Sequence, residues 1–145
     1  MDKSDKMDKF DEHARQRLAA LLAHPSFDRS LVDLELIDAG DGRARARLPV
    51  SRAVQNLGGS LHGGAAATLV DLVGTVAIMS ADAQGRPGVT TDLNVSYFAA
   101  GKGTVVAEAV VLKAGRTLAF VTVDVKREED GVLVAQGRMT KHLGA

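Results

Sequence analysis

Residues 63–81 read GGAAATLVDLVGTVAIMSA, nineteen residues with one charged side chain, Asp71. The length alone would suit a membrane span. The composition argues otherwise: the run is rich in Gly, Ala and Thr rather than Leu and Ile, and amphipathic segments flank it. A helix apolar on nearly all sides is the buried helix of a protein core.

Working outward from this helix, the upstream chain shows shorter patterns. Arg43-Ala44-Arg45-Ala46-Arg47-Leu48 alternates strictly, which predicts a strand with a basic and an apolar face. A solvated strand face is favoured there over an anion-binding strip. Asp38-Ala39-Gly40-Asp41-Gly42 is a turn signal, and Leu31 to Ile37 before it reads as a strand. From Lys9 to Ala23, Phe10, Ala14, Leu18, Leu21 and Leu22 recur at helical spacing, and His24-Pro25 ends the pattern. Residues 1–8 are polar and are expected to be mobile.

Downstream, a loop at Asp82–Pro87 precedes four predicted strands. Val89 to Phe98 alternates, with Thr91, Leu93, Val95 and Tyr97 on one face and Thr90, Asp92, Asn94 and Ser96 on the other. Thr104 to Lys113 and Thr117 to Lys126 form a hairpin around Ala114-Gly115-Arg116. Glu128-Glu129-Asp130-Gly131 turns into a last strand, Val132 to His142. The order is helix, two strands, one long buried helix, four strands, with short turns suited to antiparallel pairing. The compact solution is an α+β chain in which one antiparallel sheet curls around one central helix, the hotdog arrangement. Residues 1–24 form a tail and amphipathic helix, and 25–145 form the domain.

Composition narrows the function classes. Eighteen Lys and Arg balance eighteen Asp and Glu, without the basic excess a nucleic-acid binder needs. There is no cysteine, so disulfides, thiolate metal sites and a cysteine nucleophile are excluded. The four histidines, His13, His24, His62 and His142, do not fall at metal-ligand spacing, and no metal or cofactor is expected. The charged Met1 to Lys9 stretch lacks the apolar core of a secretory signal, so a cytoplasmic protein with no membrane partner is expected.

The chemistry centres on the buried helix. A carboxylate in an apolar core is costly without partners, which makes Asp71 a candidate catalytic group rather than a packing residue. Before the helix stands Asn56-Leu57-Gly58-Gly59-Ser60-Leu61-His62-Gly63-Gly64. The first N–H groups of a helix lack internal acceptors, and the dipole makes that end positive. Glycine there lets a ligand approach the backbone. A ligand carbonyl docked on the Gly63 N–H would be polarised and its oxyanion stabilised. Gly63 and Asp71 are eight residues apart, about 12 Å along a helix. One helix cannot both hold the carbonyl at its start and bring Asp71 to it. A two-fold dimer with shared sites resolves this.

Several stretches together carry a family resemblance: Asn56, Leu61-His62-Gly63-Gly64, Thr68-Leu69-Val70-Asp71, Pro87-Gly88-Val89-Thr90, Leu112 to Phe120, and Ala135 to Gly144. In register over residues 25 to 144, the chain resembles the phenylacetate-pathway-type hotdog thioesterases, in the branch that includes animal acyl-coenzyme A thioesterases. The resemblance implies hydrolysis of an acyl-CoA thioester, with Asp71 as general base or nucleophile and the Gly63 N–H polarising the carbonyl. It implies that Asn56 places the carbonyl or the water. Thr90 stands where the animal enzyme has a serine that assists the water, and His62 shapes the loop. For coenzyme A it points to Tyr97, Phe98, Ala99, Ala100, Gly101 and Lys102, to Lys113, Ala114, Gly115, Arg116, Thr117 and Leu118, and to His142. Lys102, Lys113 and Arg116 suit phosphates by charge. The Ala99–Lys102 loop departs from the animal pattern and is shorter. A homotetramer, built as a dimer of dimers, is also implied.

Two rival functions share this fold. A hotdog hydratase resembles an Asp followed five residues later by His, and Val76 stands there; a dehydratase's His-Phe-Pro context is also missing. A noncatalytic acyl-CoA-binding module would need no buried acid. The acyl group, aromatic or aliphatic, is not legible.

Overall fold

The computed structural model describes the backbone of residues 3–144 and side chains from Phe10 onward. Two helices and six strands follow in the order α1 (Lys3–Ala23), β1 (Glu35–Gly40), β2 (Arg43–Pro49), α2 (Gly63–Ala81), β3 (Val89–Tyr97), β4 (Thr104–Ala114), β5 (Leu118–Arg127) and β6 (Leu133–His142). The strands form one six-stranded antiparallel sheet in the order β1-β2-β4-β5-β6-β3. The sheet's inner face carries the alternate small and branched residues of β4 and β5, Val105, Ala107, Ala109, Val121, Val123 and Val125, all buried against α2. This is the expected α+β arrangement of a sheet around a central helix.

The helix approaches the sheet closely because glycine stands at two contacts. A Cβ on Gly137 of β6 would lie 2.4 Å from Val70 Cγ1, and one on Gly74 of α2 would lie 2.8 Å from Met139 Cε. Val70, Val73, Gly74, Ala77 and Ile78 are consequently sealed against the strands. The opposite flank of α2, with Thr68, Asp71, Thr75, Val76 and Met79, is only half-buried.

Three expectations need correction. Helix α1 begins at Lys3 rather than Lys9, because no Gly or Pro interrupts the chain from there to Ala23; Met1 and Asp2 of the expected mobile tail lie outside the described residues. Leu31 is not in a strand: Phe27–Leu31 is a 3-10 turn in which the Ser30 hydroxyl donates to the Phe27 carbonyl at 2.8 Å, and Leu31 is a fully buried plug. The strand starts at Glu35 and runs to Gly40, leaving Asp41 (φ 51°) and Gly42 (φ 76°) as a two-residue hairpin turn. Finally, β3 does not alternate throughout. A bulge between Thr90 and Asp92 adds one residue against β6, so Thr90, expected on the face opposite Tyr97, reaches α2 as Tyr97 does.

Candidate functional site

Asp71 is half-buried in the middle of α2, and its Oδ1 accepts a hydrogen bond of 2.8 Å from the Thr90 hydroxyl. The bulge in β3 makes this contact, because it turns Thr90 inward at the start of a strand that is exposed apart from Thr90 and Val95. The same hydroxyl lies 3.6 Å from Met139 Sδ. Lys141, two residues further on β6 and opposite Thr90 in register, is a buried charged residue, 6% exposed. Burial holds its ammonium below the ordinary lysine range, while the Asp71 and Asp28 carboxylates pull it the other way. Lys141 was not anticipated. The signal was present: Ala135, Gly137, Met139 and Lys141 share one face of β6 by alternation, and the first three are core residues.

A second cluster forms at the start of α2. His62 is the N-cap: its Nδ1 accepts the Gly64 N–H at 2.8 Å, and its own N–H donates to the Val54 carbonyl. The imidazole thus occupies one free donor of the helix. The neighbouring Gly63 N–H has no acceptor among the described residues. The Tyr97 hydroxyl donates to the Gly63 carbonyl at 2.6 Å, placing the end of β3 beside the helix start. Asn56 is turned into its own loop, where Oδ1 accepts from the Gly58 and Ser60 N–H groups at 3.0 and 3.2 Å and Nδ2 donates to Ser60 Oγ. Leu57 at the tip of that loop is fully exposed.

The structure therefore brings Asp71 to Thr90, and Gly63 to His62 and Tyr97, but it does not bring these two groups together within one chain. Along α2 they remain about 12 Å apart.

The segments expected to hold coenzyme A divide in the same way. Phe98, Ala99, Ala100 and Lys102 follow β3 near Gly63. Gly101 among them is buried, where a Cβ would lie 2.9 Å from the Leu61 Cβ, and its carbonyl accepts the Leu61 N–H. Lys113 to Leu118 and His142 are exposed at the other end, where His142 pairs with both Val89 and Leu118. Val89 and Tyr97 bound β3, so the two segments are separated by about 25 Å of strand.

Between α1 and α2 lies an apolar groove of about 510 Å³, lined by Phe10, Leu18, Leu21, Leu72, Val76 and Met79 among others. The arginine strip of β2 is spoken for in part: Arg45 pairs with Asp38 at 2.5 Å, and Arg47 with Glu128 at 2.6 Å. Among the described residues no three His, Asp or Glu side chains converge on a metal position.

Comparisons with known proteins match the fold and the sequence over most of the chain. A family model described as "Thioesterase superfamily" matches residues 58–134. The mouse acyl-coenzyme A thioesterase 13 is 39% identical over 140 residues, covering 95% of this chain and 99% of that protein. The human protein of the same name is 40% identical over 132 residues, covering 90% and 94%. Among solved structures, zebrafish thioesterase superfamily member 2 superposes with a TM-score of 0.88 at 45% identity, covering 92% of this chain and 97% of that one.

Proposed function

The chain belongs to the thioesterase superfamily, and from that premise we propose that it hydrolyses acyl-coenzyme A thioesters to the free acid and coenzyme A, in sites shared between two copies of the chain. The observation that carries the chemical assignment is the 2.8 Å bond from the Thr90 hydroxyl to Asp71 Oδ1. The hydroxyl fixes one carboxylate oxygen and leaves Oδ2 to accept a proton from water.

In this reading Asp71 takes that proton as the water oxygen bonds to the thioester carbon. The carbonyl oxygen becomes an oxyanion, held by the Gly63 N–H at the positive end of α2. Collapse of the tetrahedral intermediate breaks the C–S bond, and the proton taken by Asp71 passes to the departing coenzyme A sulfur, which restores the carboxylate. His62 keeps the helix start in shape by capping Gly64. Asn56 holds the 56–60 loop next to it.

Separation of the two clusters supports the shared site. β3 is an open edge with Thr90 near its start and Tyr97 at its end. Antiparallel pairing of two β3 strands about a two-fold axis sets the Tyr97 end of one copy beside the Thr90 end of the other. Gly63 of one copy then faces Asp71 of its mate. Lys113 to Leu118 and His142 from the Asp71 copy, with Tyr97 to Lys102 from the other, flank one coenzyme A. The family resemblance supports a dimer of dimers as the assembly.

Thiol release from a panel of aliphatic and aromatic acyl-CoA esters, without added metal, tests the activity; no turnover by folded protein contradicts it. Asp71→Asn preserves shape and is expected to lower kcat by about a hundredfold or more with substrate binding retained. A near-parental kcat would make Asp71 structural.

A further inference from the structure

One charged cluster outside the site ties three distant parts of the chain together. Asp82 is the C-cap of α2, with its N–H on the Ile78 carbonyl at 3.0 Å. A carboxylate at the negative end of a helix is unfavourable by itself, and this one is only 6% exposed. Arg86 compensates it three times over: its backbone N–H and Nε donate to Asp82 Oδ2 at 2.8 and 3.0 Å, and Nη2 donates to Oδ1 at 2.9 Å. The guanidinium then reaches across the fold. Nη2 also donates to the Arg116 carbonyl at 3.0 Å, and Nη1 to the Leu143 carbonyl at 3.4 Å.

The Arg116 carbonyl belongs to the β4–β5 turn, whose residues Lys113 to Leu118 are all exposed. Packing therefore does not fix that turn. Hydrogen bonds do: Gly115 N–H to the Leu118 carbonyl at 2.8 Å closes it, Leu143 N–H to the Thr117 carbonyl at 2.7 Å holds one side, and Arg86 holds the other. With the Arg116 backbone fastened, the Lys113 and Arg116 side chains project from a turn fastened to the end of the helix that carries Asp71.

We infer that Arg86 is a positioning residue for coenzyme A: by joining Asp82 at the end of α2 to the Arg116 carbonyl, it fixes the Lys113–Leu118 turn at a set distance from Asp71, so that cations on that turn meet the phosphates of the nucleotide end. This rests on the reading that the turn binds coenzyme A. The guanidinium fork spans Asp82 and two carbonyls at once, an arrangement that a single ammonium reproduces less well.

The test compares Arg86→Met, Arg86→Lys, Lys113→Ala and Arg116→Ala on one acyl group carried either by coenzyme A or by pantetheine, which lacks the nucleotide. Lys113→Ala and Arg116→Ala report on the turn itself. Arg86→Met is expected to raise KM for the acyl-CoA by roughly three- to tenfold, with kcat and the acyl-pantetheine KM near parental. Arg86→Lys is expected to lie between. If the alanine variants raise KM and folded Arg86→Met does not, the inference is overturned and the coenzyme A reading stands. An equal loss on acyl-pantetheine also overturns it, since that is general damage. If neither alanine variant changes KM, the turn does not bind coenzyme A and both readings fall. Should Arg86→Met not fold, the same two-substrate ratio in Arg86→Lys decides.

Discussion

The sheet has two edges, and the chain finishes them differently. At β1, helix α1 lies along the edge: the Asp11 carboxylate accepts the Ala39 N–H at 2.9 Å, and the Arg15 guanidinium donates to the Leu36 and Ile37 carbonyls. Ala14, Leu18 and Leu22 seal the contact. At β3 nothing among the described residues covers the edge, and Val89, Leu93, Tyr97 and Phe98 stand exposed along it. An open edge with apolar side chains is a template for another strand. The β1 edge is closed within the chain; in the proposed shared site the β3 edge, which also carries Thr90 and Tyr97, is the one that a second copy would pair with.

The largest expected effect comes from closing the open edge. Leu93→Asp places a charge where two copies would meet, and is expected to yield a monomer with activity lowered by about a hundredfold or more, because each monomer holds only half a site. Light scattering and thiol release are read together. A fully active monomer would break the comparison.

The charged seams differ in the same sense. Arg45–Asp38 and Arg47–Glu128, near the covered edge, are between 37% and 52% exposed, and such pairs contribute little. Asp82–Arg86, in the loop that leads into β3, is at 6% and 21%, and Arg86 with burial opposing it holds the Asp82 carboxyl down to about 2. A depressed carboxyl stabilises the fold above its unfolded value near pH 4, and the benefit is lost as pH falls toward 2. With the Arg86 partner partly screened by water, Asp82→Asn is expected to cost about 1 kcal/mol at pH 7. Parent and variant should converge in chemical unfolding as pH drops from about 4 to 2. A constant gap across that range would show that the ion pair is not its source.

A comparably small effect belongs to the covered edge. Asp11→Ala frees one strand N–H at a site partly open to water, for a cost of about 1 kcal/mol in denaturant unfolding. Assembly and kcat should be unchanged. A change in oligomeric state would mean that α1 is not merely an edge cover.

Much of this was legible in the residues. The one-charge run 63–81 coincides with α2, and four alternating segments after it coincide closely with β3 to β6. What escaped depends on context rather than pattern. Strict alternation cannot reveal the extra residue at Thr90–Asp92, although that bulge aims Thr90 at Asp71. Leu31 has the composition of a strand residue, but Asp28, Ser30 and Asp33 around it favour local turn bonds. Asn56 was expected to face substrate, yet within a single chain its amide is absorbed by Gly58 and Ser60. Lys141 went unremarked, although alternation puts it on the face of β6 that carries Gly137 and Met139. Arg86 carried no motif, because its three partners are 4, 30 and 57 residues away.

The central claim is that one site takes Asp71 from one copy and Gly63 with Asn56 from the other, and complementation tests it most directly. Asp71→Ala removes the base and Asn56→Ala releases the 56–60 loop beside Gly63, and each is expected to lose most of its activity. The two proteins are unfolded, mixed equally and refolded, with exchange verified by differently tagged chains. Random pairing makes about half the dimers mixed, and each mixed dimer has one site with both residues intact and one with neither. The account predicts that about a quarter of parental activity returns. If activity stays absent although mixed dimers have formed, both residues serve the same chain's site, and the shared-site account is wrong.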